Sequence, residues 1–470
     1  MAGAGPFKYG PRVGRCVATA TRTVEQVLRE GGFTSFHRRI VAITGFAWTF
    51  VAFEIILIGF VLPGPSGIFA TFGIEQTTQP GLYFLVTSAT LMGSFIGSLV
   101  LGRLADARGR RTIFLASILW YSVFTALTAT SWDPWSVFGF RFLAGLGLGG
   151  MLVVDPALLS EFLPPQSRGR FMVLLDFFWP IGFLLAIGFW WVFLVQGVTF
   201  AGLASWRALF LVAAFPAFIA FLARVAIPES PFYHARHGNL PEAAKVLERI
   251  RGTPVDPSTL SREQAVPRAP LAALFRGILL RRTVVTVVVW IALNFSYYGL
   301  FLSLPFALPI FAVVGADVTL LAWFFVVSAL AQFPGYAVSM YLVERWGRKR
   351  TLSLFLILGG VSGYAFATAN ALSGLFVGLA FVSFFNLGAW GAVYPYTSEL
   401  FPTQYRATGF GLAEGVGKIT AILGPVVFGA LYVATQGNVV APLTSIAVVM
   451  AIGGLVLAAI GPETKGEAFV

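Results

Sequence analysis

The sequence predicts an all-α membrane protein whose twelve transmembrane helices form two pseudo-symmetric six-helix bundles. Three observations carry this reading. Of 470 residues, 57% are hydrophobic and only 11% charged, less than half the roughly 25% typical of soluble domains. Apolar runs long enough to cross a hydrocarbon core of about 30 Å as helix recur along the whole chain. Two segments of the first half return in the second at one constant offset. Together these exclude a disordered chain, a secreted disulfide scaffold and a tethered soluble enzyme. One cysteine, Cys16, has no internal disulfide partner, and three histidines leave little material for a metal centre. No metal and no cofactor is expected.

The chain opens with a tail, residues 1–39, in which Lys8, Arg12, Arg15, Arg22, Arg29, Arg38 and Arg39 face only Glu25 and Glu30. The positive-inside rule puts this tail in the cytoplasm. It carries no cleavage-site pattern, and the apolar run after it is too long for a signal-peptide core, so that run is kept as the first span. Spans at 41–62, 82–101, 112–131, 135–159, 171–195 and 208–226 build a first bundle within 40–227. Residues 228–282 form a polar cytoplasmic linker, rich in Pro and Arg, with a short amphipathic helix at 240–250. Spans at 283–304, 318–341, 351–369, 374–395, 408–433 and 441–460 build the second bundle within 283–461, before a cytoplasmic tail at 462–470. The runs are continuous, unlike the alternating segments of a membrane barrel.

The loops agree with this orientation. Inner loops carry Arg103, Arg108, Arg110, Arg111, Arg168, Arg170, Arg281, Arg282, Arg345, Arg348, Lys349 and Arg350, while outer loops hold Glu75, Asp133 and Asp317 against Arg207. The net charge of +12 is thereby assigned to topology and the anionic inner leaflet, not to nucleic acid.

The repeat is specific. Gly102–Arg111 after span 2 matches Met340–Lys349 after span 8, with Asp106 aligned to Glu344, Gly109 to Gly347 and Arg110 to Arg348. Ser160–Arg168 after span 4 matches Ser398–Arg406 after span 10, aligning Glu161 with Glu399. Every pair lies 238 residues apart, so the halves are homologous and parallel. Parallel repeats place substrate near the midplane, between the halves.

The loop Gly102-x-Leu-x-Asp106-x-x-Gly-Arg110-Arg resembles the signature of the major facilitator superfamily. Arg141 with Gly145, Gly147 and Gly149, Pro228-Glu-Ser-Pro231, Glu344-Arg-x-Gly-Arg348 and Pro462-Glu-Thr-Lys-Gly466 resemble its sugar-porter side. Gly32-Phe-x-x-Phe36, Ser160–Pro165, Tyr297-Tyr-Gly299, Tyr396–Thr403 and Arg406–Gly409 are similar to the metabolite:proton symporter branch, related to synaptic vesicle glycoproteins and to niacin and aromatic-acid carriers. The resemblance spans nearly all of the chain past residue 30 and implies the major facilitator fold and alternating access.

Within that frame Asp106 and Glu344 are placed to accept hydrogen bonds from a neighbouring helix N-terminus. Arg110 and Arg348 are placed to pair with Glu161 and Glu399, and the resemblance gives these six the role of a cytoplasmic gate. Ionisable groups at membrane depth are functional candidates by default. Glu54 in span 1 and Arg141 in span 4 lie at compatible depths, and the resemblance makes them a protonation switch; a static buried pair is the alternative. The branch usually has a second acid where this chain has Val51, which keeps a facilitator, or a differently placed proton site, open. Asp176 and Glu414 are again 238 residues apart and read as acids facing each other across the lower cavity, Asp176 joining the proton-coupling candidates. Lys418 follows Glu414 by one turn, close enough to pair with it, and is the candidate anchor for an anionic substrate. Asp155 reads as a gate residue near the inner mouth.

Uncharged candidates for substrate contact are Asn294, Tyr297, Tyr298, Gln332, Asn386, Trp390 and Tyr394. Trp179, Trp190 and Trp191 read as packing or interfacial residues. His234 and His237 lack a third ligand and read as linker side chains, and Gly145 with Gly149 as a close-packing face. The expected function is secondary transport of a small organic solute, an aromatic or other carboxylate metabolite favoured, by proton symport across the cell membrane. A monomer in the lipid bilayer is expected, with no nucleic-acid partner. A facilitator or symporter for a sugar or organic cation is the alternative; a receptor on the same scaffold ranks below it. No reactive constellation points to an enzyme.

Overall fold

The computed structural model describes residues 21–75, 77–166, 168–216, 226–263, 270–311, 313–315 and 317–465. Expectations at Cys16, at Lys8, Arg12 and Arg15, within the inner part of span 208–226 and at Gly466 lie outside the described residues. Among the described residues, eleven helices are long and apolar enough to cross a membrane.

A short α1 (Val24–Glu30), closed by a Thr23–Gln26 capping box, precedes α2 (Ser35–Val61). The first half continues through α3 (Pro80–Arg108), α4 (Arg110–Thr128), α5 (Pro134–Phe162), α6 (Arg168–Val195) and the start of the sixth span, α7 (Ser205–Ala213). Two linker helices follow, α8 (Pro231–Arg236) and α9 (Leu240–Arg251). The second half comprises α10 (Gly277–Phe301), α11 (Val318–Trp346), α12 (Arg348–Ala367), α13 (Leu372–Leu400), α14 (Thr403–Ala434) and α15 (Val440–Ile460).

Several helices outrun their apolar stretches, because backbone hydrogen bonding continues until a residue ends it. At α3 and α11 that residue is Gly109 (φ 97°) and Gly347 (φ 105°), a conformation open to glycine and strained for other residues. The repeat is visible in these bounds: α11 starts and ends 238 residues after α3, and α13 stands in the same relation to α5. Across the halves α3 packs on α14 and α11 on α6, the reciprocal pairing expected of two copies related by a pseudo-two-fold axis.

The amphipathic α9 starts at an Asn239 cap, ends at Gly252 in the left-handed region, and buries Val246, Leu247 and Ile250. The start of α2 docks on it, the Thr34 hydroxyl donating to the Ile250 carbonyl at 2.9 Å. Arg22 and Arg251 both pair with Glu30 of α1, at 3.0 and 3.5 Å. The N-terminal segment, the linker and the segment after α15 therefore gather at one end of the bundle, called the linker end below.

Lipid removes most of the hydrophobic drive for helix association, so small residues that admit close backbone approach carry much of the packing. The tightest such seam joins α5 to α3: a Cβ on Gly145 or Gly149 would collide with the backbone carbonyls of Thr90 or Ser94. Gly139, on the same helix, faces open space. Gly145→Leu and Gly149→Leu should each lower stability by about 1–3 kcal/mol through overpacking, read as a reduced unfolding midpoint in detergent, while Gly139→Leu leaves the midpoint nearly unchanged.

Candidate functional site

A cavity lies where the two halves meet. The first half contributes Trp48 from α2, Ser94 from α3, Leu152 from α5, and Asp176 and Trp179 from α6. From the second half come Trp290, Asn294, Tyr297 and Tyr298 of α10, and Tyr336 of α11. Trp390 and Tyr394 of α13 and Glu414 and Lys418 of α14 complete the wall. Its charges are two acids and one lysine, with Lys418 Nζ 3.2 Å from Glu414. Asp176 and Glu414 both lie within electrostatic reach of the Tyr394 hydroxyl.

Eight of the seventeen lining residues are aromatic. Trp48 and Trp179 have ring centroids 5.8 Å apart, Trp290 and Trp390 5.9 Å, and Tyr297 and Trp390 6.3 Å. The indole N–H groups of Trp48 and Trp390 are buried without a hydrogen-bond partner among the described residues. Trp179 donates to the Tyr297 hydroxyl at 2.5 Å, bridging the halves. This corrects the reading of Trp179 as a packing residue. Trp48, Trp290 and Tyr336 are cavity residues that sequence reasoning missed, since an aromatic in an apolar run carries no mark of the face it occupies.

Seven of the residues expected at the substrate, namely Asn294, Tyr297, Tyr298, Trp390, Tyr394, Glu414 and Lys418, lie on the cavity wall. Gln332 and Asn386 do not: both are fully buried inside the second half. Asn386 donates to Ser296 Oγ at 2.8 Å, and both amide atoms of Gln332 are unpartnered among the described residues.

Away from the linker end the halves are closed by rings. Phe60 meets Phe325 at 4.7 Å, Phe183 meets Phe301 at 5.7 Å, and Phe84 meets Phe306 at 5.0 Å and Phe428 at 5.1 Å between centroids. The Ser88 hydroxyl donates to the Ile422 carbonyl at 3.2 Å.

Behind the cavity wall Arg141 and Glu54 form a fully buried pair inside the first half. Arg141 Nη1 donates to Glu54 Oε2 at 2.8 Å and Nη2 to the Glu54 carbonyl at 2.7 Å. Its Nε donates to Thr90 Oγ1 at 3.2 Å, and Thr125 donates to Glu54 Oε2 at 3.0 Å. One guanidinium thus ties α5 to α2 and α3, while α4 reaches it through Thr125. Asp155 is not at a mouth; it is fully buried in the same half.

At the linker end the expected gate charges pair within each half. Arg110 lies 3.2 Å from Glu161 and 3.7 Å from Asp106; Arg348 lies 2.9 Å from Glu399 and 3.2 Å from Glu344. The helix N-termini expected to bond Asp106 and Glu344 are capped by other acids. Glu229 accepts from the Arg111 backbone N–H at 3.1 Å, and Glu463 from that of Arg348 at 2.8 Å. Thr464 also donates to Glu399 at 2.8 Å. The motifs containing Glu229 and Glu463 were visible in sequence, but a cap is recognised only once the segment carrying it is seen beside the helix.

This architecture matches a known family. The family model described as sugar (and other) transporter matches residues 39–470. The chain belongs to the sugar (and other) transporter family. Within the family it is similar to the niacin transporter NiaP of Acinetobacter baylyi, 33% identical over 92% of this chain and 95% of that protein. It is also similar to the putative niacin/nicotinamide transporter NiaP of Bacillus subtilis, 31% identical over 91% and 96%. Among solved structures it resembles the partially occluded inward-open xylose transporter XylE of E. coli, with a TM-score of 0.73 and 16% identity over 93% of this chain and 100% of that one. The fold is that of the major facilitator superfamily. The chain is a multi-pass membrane protein and a secondary transporter of a small metabolite, not an enzyme.

Glu463 yields a pH test outside the membrane. Burial alone would raise its carboxyl, but backbone N–H groups of Lys465, Arg348, Lys349 and Thr464 together hold it below the ordinary carboxylate value. A depressed value stabilises the fold above the unfolded-state pKa, and that contribution is lost as pH falls through the folded one. Glu463→Gln should cost up to about 1 kcal/mol at neutral pH, as a partly exposed cap. Thermal unfolding of the two proteins should converge as the buffer is acidified through the carboxylate range.

Proposed function

We propose that this transporter moves a small aromatic carboxylate, of the nicotinate type, together with a proton across the cell membrane by rocking of its two halves. The observation that carries the reading is the cavity: aromatic rings in edge-to-face and tilted contact line it, a single lysine lies on its wall, and two indole N–H groups stand without partners among the described residues. Flat rings stack on a planar heteroaromatic, while an ammonium and free donors suit a carboxylate. The names of the NiaP relatives support the same substrate class.

Lys418 is the anchor. Glu414 neutralises it at 3.2 Å; a substrate carboxylate takes that place. Glu54 is the proton site and Arg141 its partner, with Asp176 as the acid on the cavity wall that senses the substrate. Helix motion that withdraws Arg141 leaves Glu54 as an uncompensated buried charge, which favours proton uptake. The linker end is cytoplasmic, as the basic loops indicate, and ring closure of the opposite end makes this an inward-facing arrangement. The charge pairs of Arg110 and Arg348 brace the linker end of each half as a rigid rocking body. A second reading, an organic cation, is favoured by one observation: Asp176 and Glu414 outnumber Lys418.

Uptake by reconstituted liposomes decides between them. Labelled nicotinate should accumulate under an imposed pH gradient and be displaced by benzoate but not by quaternary amines or xylose. Displacement by amines alone would turn the reading to the cation. Lys418→Ala should weaken nicotinate binding by about 1.5–3 kcal/mol, roughly ten- to a hundred-fold. Glu54→Gln should abolish gradient-driven accumulation while counterflow exchange stays measurable; equal loss of both would count against a dedicated coupling role.

A further inference from the structure

Two helices that meet the opposite half, α6 and α14, are each interrupted near the end away from the linker, and by different means. In α6 the stretch Trp190–Val195 is wound as a π-helix, whose N–H groups reach back five residues instead of the four of an α-helix. The Gln196 N–H closes it on the Trp191 carbonyl at 2.9 Å. In α14 the device is Pro425, which has no N–H for the Ala421 carbonyl and crowds it instead. At the repeat offset of 238 residues Pro425 falls on Ile187, one helical turn before Trp190, or about 4.5 Å along the axis. π turns and prolines are among the few causes of sharp bends in helices. The repeat did not copy one device from the other, yet both sit at nearly one height.

The ends at and beyond these interruptions carry the ring contacts that shut the halves. Trp190 lies 5.5 Å from Phe325 of α11 between centroids, and Phe60 of α2 touches both, at 5.9 and 4.7 Å. Its counterpart at the repeat offset, Phe428, lies 5.1 Å from Phe84 of α3. Phe84 also fills the space that a Cβ on Gly429 would need. Each helix end then runs into a loop with a residue other than glycine in the left-handed region, Ala201 (φ 55°) after α6 and Gln436 (φ 54°) after α14. Among the described residues no other non-glycine residue has a positive φ, a conformation unfavourable to an L side chain. A weakened helix, a ring that seals and a strained loop thus recur in the same order in both halves.

We propose that the π turn and Pro425 are a pair of hinges, at which the outer ends of α6 and α14 swing as the two leaves of a gate on the side away from the linker. Trp190 and Phe428 are the latches. The leaves bend on their own helices, so opening that side does not require the whole of each half to tilt at once. The gate rests on the alternating access of the carrier reading above; the identity of the cargo does not enter.

Accessibility of one thiol tests the hinges without substrate. Ser303 is fully buried, and its hydroxyl has no hydrogen-bond partner among the described residues. It follows Leu302, whose carbonyl a Cβ on Gly59 of the first half would meet at 3.0 Å. In the full chain with Cys16→Ser, which removes the one native cysteine, Ser303→Cys should react with a membrane-impermeant maleimide added on the side away from the linker. Deleting Val192 rewinds the π turn as α-helix, with the loop 196–204 taking up the change, and Pro425→Ala restores the missing N–H. Each should slow labelling roughly two- to tenfold, the contribution of one regained helix hydrogen bond, and both together should slow it further. The sign separates a hinge from mere packing, because Trp190→Ala, which only loosens the seal, should speed labelling. Deleting Gly202, which shortens the same loop and has open space around it, should leave the rate unchanged. Unchanged or faster labelling in either hinge variant, an equal slowing by the Gly202 deletion, or no gain in Trp190→Ala overturns the proposal. Pro425→Ala decides alone if the deletion of Val192 fails to fold. A labelled parent with unaffected hinge variants leaves the rocking intact, whereas a parent never labelled overturns rocking and hinges together.

Discussion

The structure depends on one constraint: a guanidinium that never loses its charge sits in the dry interior of a membrane helix bundle. Arg141 is fully buried, so its donors must be met from within. They are met by a Glu54 carboxylate oxygen, the Glu54 backbone carbonyl and the Thr90 hydroxyl. Meeting them fixes the rotation of α2 and α3 about α5, with Thr125 of α4 bonded to the same carboxylate. Such a pair contributes little net stability, since desolvation consumes most of the Coulombic gain, yet breaking it is costly. That asymmetry suits a switch: the pair is neutral to keep and expensive to part unless a proton takes the place of the arginine.

The two halves share a backbone and divide the chemistry. At the repeat offset, Leu379 stands where the first half has Arg141, and Ala292 where it has Glu54. The second half is instead furnished with amides and hydroxyls, such as Asn386 bonded to Ser296 and Ser328 to Ser383. The linker-end devices are duplicated, Arg110 with Glu161 and the Glu229 cap, Arg348 with Glu399 and the Glu463 cap, and so are the cavity acids Asp176 and Glu414. The charges at the linker end thus follow the repeat, whereas the polar groups buried within each half do not.

How much of this was legible in the sequence follows from the range of each signal. The spans and their repeat were readable because lipid imposes composition and length on every helix. The Glu54–Arg141 pair was readable because charges inside spans are few and depth follows from helical rise. Gln332 and Asn386 were misplaced relative to the cavity because a polar residue in a span marks an interior, and a bundle has more than one interior. Trp48, Trp179, Trp290 and Tyr336 gave no sign of their place, since which helix faces meet is decided by rotations that small-residue seams such as Gly145 and Gly149 impose between helices. The caps Glu229 and Glu463 belong to chain segments brought from 118 and 115 residues away, beyond any local pattern.

The distribution of charge about the cavity bears on the sign of the cargo. Two acids and one lysine on an apolar, aromatic wall make a site that binds an anion only if one acid gives up its claim on the lysine. Glu414 holds Lys418 from the same helix, one turn away, so an incoming carboxylate competes with a neighbour that cannot leave. A displaced Glu414 in a closing cavity is then itself an uncompensated charge, and a proton resolves it. On the carboxylate reading proposed above, substrate and proton are linked on the cavity wall as well as behind it, because two negative charges at close range disfavour one another. An organic cation needs no such exchange: it would sit between Asp176 and Glu414 and leave Lys418 paired. The same geometry therefore ties proton symport to an anionic cargo, and a finding of one without the other would break the argument at Lys418.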